Sequence, residues 1–125
     1  MTPALYMLDD DNNPVLVDVE GVEGLDKWLA WRIRWARKNG NDGQLHVAYT
    51  ELPDGVLVST IFLGINPTPW RSSPPLLWET MVFVNGKPNG KQFRYSSHQL
   101  AVEGHDAVVK AVMKGGTDDA SAWTC

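Results

Sequence analysis

The chain has 125 residues and one cysteine, and its formal net charge is −4 at neutral pH. Hydrophobic residues make up 43% and charged residues 21%, a globular balance that excludes wholesale disorder and fits a single domain. The acidic balance excludes broad binding to a phosphate backbone, and the single cysteine, Cys125, excludes an intrachain disulfide or a multi-cysteine metal site.

The start of the chain predicts a β-hairpin followed by a helix. Residues 3–8 and 14–19 are short apolar runs separated by DDDNN, and Asp and Asn tolerate turn geometry. Apolar residues then recur at helical spacing over residues 23–39, and Gly40 follows. We therefore expect a helix over 23–39 that ends at this glycine.

The middle of the chain predicts four strands. PDG joins residues 45–52 to residues 56–63 and is a strong hairpin signal. Four prolines in 64–75 cannot donate hydrogen bonds to a sheet, so we expect a long loop there. The apolar run 76–84 is typical of a central strand, and NGKPNG separates it from an edge strand at 91–95.

The second helix is predicted by its termini. Ser96 can cap it, with Gln99 completing a capping box, and the helix should run to about Lys114 before a pair of glycines. Its apolar residues lie nearly all round: Leu100, Gly104, Ala107, Val108 and Ala111 on one side, and Val102, Val109 and Met113 on the other. A small domain covers one side of such a helix, so we expect a homo-oligomer through the other.

The order ββαββββα predicts an α+β domain, a mainly antiparallel β-sheet packed by two helices. We expect this domain to cover residues 1–116 and a mobile tail to cover 117–125. The N-terminus does not resemble a signal peptide, and no apolar run is long enough for a membrane span. A cytoplasmic protein that does not bind membranes is therefore expected.

Two charged residues break the apolar pattern of their elements. Arg32 falls near the middle of the apolar arc of the first helix, so it should be mostly buried against a carboxylate or an indole. Glu79 lies in the apolar central strand and needs a basic partner, for which Arg32 and Arg94 are the candidates. The alternatives are an anion-binding arginine and a general acid or base with a raised pKa.

Other features favour binding over catalysis. His98 and His105 are seven residues apart on one helix, which is too far for one metal ion, and there is no nucleophile elbow or phosphate-binding glycine loop. We expect no catalytic residue, metal or cofactor, and we leave enzymatic activity open. The candidate binding residues are Arg32, Trp35, Trp70, Glu79, Arg94, Tyr95 and His98.

Three segments resemble one family. They are VSTIFLG (58–64), PPLLWETMVF (74–83) and RYSSHQLAVEGH (94–105), and they look like the STVFLG, PPLLFETMVFG and RYSTW patterns, with GH on a helix, of uncharacterised small phage and prophage proteins. Tyr6–Pro14 is also similar, as Y-x-L-D-D-x-x-x-P. This chain departs from the family at Trp78, at Val84-Asn85 and at Ser97-His98, which stand in place of Phe, glycines and Thr-Trp.

The resemblance implies a phage or prophage origin and no known catalytic residues. We therefore expect a small accessory protein that acts by binding, inhibiting or sequestering a host component, for example one of host defence. A host protein or protein complex is the expected partner, and a small-molecule ligand is possible. The alternatives are a small nucleotide-binding protein or enzyme that uses Arg32, Glu79 and Arg94, and a structural phage component.

Overall fold

A computed structural model describes residues 4–17, 22–38, 46–66 and 74–115 of the chain. In chain order its elements are β1 (Ala4–Leu8), β2 (Pro14–Val17), α1 (Val22–Lys38), β3 (His46–Leu52), β4 (Val56–Phe62), β5 (Ile65–Asn66), β6 (Trp78–Val84), β7 (Lys87–Tyr95) and α2 (His98–Gly115). All strand pairs are antiparallel, so the predicted α+β class is confirmed. Trp70, Gly40 and the predicted tail lie outside the described residues.

The strands form two sheets. The smaller sheet has the order β2-β1-β5, and the larger one has the order β3-β4-β6-β7. The first hairpin turns where predicted, because the Asp9 carboxylate accepts hydrogen bonds from the backbone N–H groups of Asp11 and Asn13, both at 2.9 Å. The two-residue β5 lies in the predicted proline-rich loop and pairs with β1, which the sequence did not suggest.

Helix α1 packs on the smaller sheet through its tryptophans. Trp28 is buried, and its indole N–H donates to the Tyr6 carbonyl at 3.0 Å. Gly64 approaches the same place: it has a φ of +72°, and its carbonyl accepts a hydrogen bond from Tyr6 N–H at 2.8 Å. A side chain at this glycine would need a rare backbone conformation and would press on the Tyr6 carbonyl.

The larger sheet confirms β6 as a central strand and β7 as an edge strand. The turn between them is shorter than predicted. Val84 pairs directly with Lys87, and only Asn85 and Gly86 form the turn, with φ angles of 53° and 81°. Positive φ at both positions is typical of a type I′ hairpin, and Asn-Gly is its strongest sequence signal.

Helix α2 covers one face of the larger sheet. Val58 and Val82 pack against Val108 and Val112 of the helix. The helix is capped by Ser97 rather than by Ser96, since the Ser97 hydroxyl accepts the Leu100 N–H at 3.1 Å. This cap lies one residue later than the sequence suggested.

The buried side of α2 also differs from the prediction. It consists of Ala101, Gly104, His105, Val108 and Val112. This arc lies between the two apolar sides named in the sequence analysis. The sheet covers this arc and leaves Leu100, on one side of it, and Met113, on the other, exposed. Because His105 is polar, the sequence pattern did not predict that the centre of this arc is buried.

Candidate functional site

The face of the larger sheet turned away from α2 is the candidate site, and we call it the open face. Successive strand residues point to opposite sides, so the neighbours of Val58 and Val82 face away from the helix. Among the residues of the open face are His46, Tyr49, Leu57, Ser59, Ile61, Glu79, Met81 and Phe83. Cross-strand pairing aligns these side chains in rows, such as Ser59 opposite Met81.

A cavity of about 620 Å³ lies on the open face. It extends from Arg32 on α1 to Gly86 at the β6–β7 turn. Its floor is apolar, and Leu57, Met81 and Phe83 remain partly accessible there. Cavities that bind small molecules in proteins have comparable volumes, and most have an apolar lining with a few polar groups.

Glu79 has the basic partner that the sequence required. Strand pairing sets Glu79 opposite Arg94, and Arg94 Nε donates to Glu79 Oε2 at 2.9 Å. The two side chains differ in exposure, 8% for Glu79 and 50% for Arg94. A buried carboxylate in the cavity wall is thus neutralised by a cation from the sheet edge. The predicted pairing is confirmed with Arg94.

Arg32 contacts an indole, as the sequence predicted, but it is half-buried instead of mostly buried. Its guanidinium carbon lies 4.7 Å from the centre of the Trp28 ring, and Nη1 donates to the Leu63 carbonyl over a long 3.4 Å. Partial burial lowers the pKa of Arg32 by desolvation. The group nevertheless keeps its charge at neutral pH, because an arginine titrates far above it.

The other predicted binding residues do not join this cavity. Trp35 lines a smaller hollow of about 340 Å³ with Asp9, Asp10 and Arg34. Tyr95 lies on the α2 side, where its ring packs against the position of Gly104. His98 is the first residue of α2 and is partly exposed. Arg32 and Glu79 therefore line the same cavity, Arg94 pairs with Glu79, and Trp35, Tyr95 and His98 lie elsewhere.

A buried polar network lies between α2 and the sheet. His105 Nε2 is 2.8 Å from Thr50 Oγ1, and His105 Nδ1 is 2.7 Å from Thr60 Oγ1. The Thr60 hydroxyl also bonds to that of Thr80. Burial lowers the pKa of His105, and the nearby Asp106 opposes that effect in part. This network is enclosed by the helix and supports the core, because every polar group in it has a partner.

The open face presents few polar groups beside its apolar floor. Within the described residues, no group of three His, Cys, Asp or Glu side chains could hold a metal ion. Ser59 lies in the cavity wall, but among those residues it has no hydrogen bond to a histidine or a carboxylate that could activate it. An apolar floor with one neutralised carboxylate and a stacked arginine is suited to binding.

The apolar floor of the cavity was not identified from the sequence. In β4 both alternating sets of side chains are apolar or small, a pattern typical of a strand covered on both faces. The described helices do not cover this face: α2 packs on the opposite face, and α1 packs on the smaller sheet and meets the larger sheet at the end of β4, where Trp31 contacts Phe62. A comparison of the number of predicted helices with the number of sheet faces would have indicated that one face stays uncovered.

Comparisons with known protein families, with curated proteins and with solved structures gave no match to this chain. Neither α1 nor α2, as far as the structure describes them, has the length and apolar character needed to cross a membrane.

Proposed function

We propose that this protein acts by binding a host protein, as a small accessory factor of phage type that inhibits or sequesters its partner through the open face. The observation that carries the proposal is the asymmetry of the larger sheet. One face is closed by α2, whereas the other carries a cavity of about 620 Å³ over partly exposed apolar side chains. The phage character is taken from the resemblance of the three sequence segments described above.

The composition of the open face favours a protein partner. Interface centres are rich in aromatic side chains, methionine and arginine, and Tyr49, Met81, Phe83 and Arg32 are grouped around the cavity. Covering apolar side chains of this size contributes roughly 1.5–3 kcal/mol each when burial is complete. The Glu79–Arg94 pair lies toward the edge strand, where partly solvated charges select partners more than they add affinity.

Capture from a bacterial host lysate tests this proposal. The tagged protein should retain a stoichiometric protein partner, while Met81→Asp and Phe83→Asp should each weaken its retention by about tenfold or more. Leu16→Asp is the matched control, because Leu16 is 62% exposed on β2 of the smaller sheet and does not line the cavity. Circular dichroism of each variant establishes that the fold is intact.

Two results would refute the proposed function. One is equal loss of the partner from Met81→Asp and Leu16→Asp, since the open face would then have no special role. The other is full retention by both open-face variants.

A small-molecule ligand is the second candidate, and the volume of the cavity favours it. Cavities of roughly 300–1,000 Å³ commonly hold small ligands, and this one is about 620 Å³ with Arg32 and Glu79 in its wall. Under this alternative the protein is a small nucleotide-binding protein or enzyme. Native mass spectrometry of the purified protein distinguishes the candidates: a retained small molecule, lost on Met81→Asp, would replace the host protein as the ligand.

A further inference from the structure

We infer that the cavity on the open face takes a segment of the protein partner in which a carboxylate stands beside a large apolar side chain, with Arg32 pairing with the carboxylate. The inference rests on the proposed function, because it takes the open face as the binding surface. It adds the chemistry of the segment that is bound.

Arg32 has donors to spare. A guanidinium carries five N–H donors, and among the described residues the only acceptor for Arg32 is the Leu63 carbonyl, at 3.4 Å. No carboxylate in that part of the chain lies within salt-bridge distance of it. Its contact with the Trp28 ring, 4.7 Å from the guanidinium carbon to the ring centre, supplies no oxygen or nitrogen acceptor for these donors.

The charge balance of the cavity wall favours an anion. In the described part of the chain, the charged side chains that line the cavity are Arg32 and Glu79, and Glu79 is already paired with Arg94. This part of the wall therefore carries one net positive charge in a protein whose overall charge is −4. A partly desolvated cation without a counter-ion gains most from an anionic group that arrives with the ligand.

The apolar floor defines the other half of the ligand. Ile61 lies in the same cross-strand row as Glu79, close to the Arg32 end, and Met81 and Phe83 continue the floor toward Gly86. Arg94 Nε occupies one oxygen of Glu79, and most of the other residues that line the floor are apolar, so the floor offers mainly contact area. An apolar side chain covers this floor while its neighbouring carboxylate reaches Arg32.

Two fluorescent probes that differ in one charge test the site directly. Anilinonaphthalene sulfonate carries an anionic group on an apolar ring system, and N-phenyl-1-naphthylamine is its neutral counterpart. Arg32→Gln should weaken binding of the sulfonate by about fivefold to tenfold, the effect of one partly solvated charge-assisted contact. It should change binding of the neutral probe by less than about twofold, within the ordinary effect of a surface substitution.

Matched variants separate a site from a general charge effect. Arg37→Gln removes an exposed cation from the same helix and should leave both probes unchanged. Met81→Asp should weaken the binding of both probes, because it alters the floor. Added salt should weaken binding of the sulfonate more than binding of the neutral probe in the wild type, and this difference should vanish in Arg32→Gln. Equal effects of Arg32→Gln on the two probes would overturn the inference.

Partner capture then distinguishes this inference from the proposed function. If Met81→Asp abolishes capture while Arg32→Gln alters neither the partner nor the sulfonate, the inference fails and the proposed function stands. If the probes respond as expected but the captured protein is indifferent to Met81→Asp, the proposed function fails and the anion preference of the cavity remains. Retention of a small organic acid without any protein partner overturns the assignment to a protein segment.

Discussion

His105 is a titratable residue in an almost fully buried environment. It is 3% exposed, and both of its ring nitrogens bond to threonine hydroxyls. A neutral imidazole has one donor and one acceptor, and hydroxyl groups can serve both. Burial therefore costs little for the neutral ring, whereas the protonated ring would lose its hydration, and this desolvation lowers the pKa.

This environment predicts acid sensitivity. In the unfolded chain His105 returns to a pKa near 6.5, so below that pH the unfolded state binds more protons than the folded state. The contribution is fully present above about pH 6.5 and is lost as the pH falls toward the lowered pKa of the folded state. Urea unfolding at several pH values should show this decline.

Variants assign the effect to one residue. His105→Gln should be less stable than the wild type at pH 7.5 and should lose part of the pH dependence between about pH 7 and pH 5. His98→Gln, at a partly exposed position, should retain the wild-type dependence. An unchanged pH dependence in His105→Gln would show that another group is responsible.

The sequence predicted one buried polar interaction and missed the other. Glu79 and Arg94 lie on strands joined by the Asn-Gly turn, so local pattern and a short hairpin suffice to bring them together. The His105 network draws on β3, β4, β6 and α2. Sequence periodicity does not relate elements that are so distant in the chain. The threonines of the network are also common strand residues, so nothing in the sequence marked them.

At the scale of elements, the contact between α2 and β7 is fixed by one glycine. A Cβ atom at Gly104 would overlap with the ring of Tyr95, which packs against the cluster that contains Phe62 and Trp78. The ring cannot move away without giving up that packing. The glycine therefore allows the helix to approach the edge strand, at the expense of helix propensity.

Gly104→Ala should destabilise the protein. Alanine gains about 1 kcal/mol of helix propensity, but overpacking costs roughly 1–3 kcal/mol, and the severity of this overlap decides for a net loss of about 1–2 kcal/mol. Thermal and urea unfolding measure it. Glu103→Ala, at an exposed neighbouring position, should change stability by less than about 0.5 kcal/mol.

The Tyr95→Leu background provides a check on the cause. If the Tyr95 ring is the obstacle, Gly104→Ala should cost less in that background, and a double-mutant cycle gives the coupling. Additive effects would contradict the proposed contact.

Helix α1 shows what periodicity cannot decide. Its apolar arc was predicted as one buried face, but only the tryptophan half packs, whereas Leu25, Leu29 and Ile33 are 44–54% exposed. Arg32 stands at the boundary between these halves, which explains its partial burial. An amphipathic pattern indicates which side is apolar, but it does not show how much of that side the rest of the chain covers.

At the scale of the whole molecule, packing accounts for several residues of the three sequence segments at 58–64, 74–83 and 94–105. Thr60, Thr80 and His105 form the buried network, and Gly64 and Gly104 allow close approach of neighbouring elements. The α+β class and most strand limits followed from turns and apolar runs. The division into two sheets did not, because it depends on the pairing of β5 with β1 across more than fifty residues.

Self-association through α2 stays a prediction, and the structure changes the way to test it. Val102, Val109 and Met113 lie within about 40° of one another on the helix. Val102 and Met113 are exposed, but Val109 packs partly against the cluster of Val58 and Val82, so its substitution would disturb the fold.

A two-fold contact would cover the exposed pair on both copies, and we expect a dimer at micromolar concentration. The double variant Val102→Lys/Met113→Lys should be monomeric in light scattering, with an unchanged circular dichroism spectrum. Ile33→Lys, at an exposed apolar position on α1, should remain dimeric. Both variants introduce lysine at exposed apolar positions, so loss of the dimer in the α2 variant alone assigns the contact to α2. A wild-type protein that stays monomeric up to about 100 μM, where a contact of about 5.5 kcal/mol would be detected, contradicts this prediction.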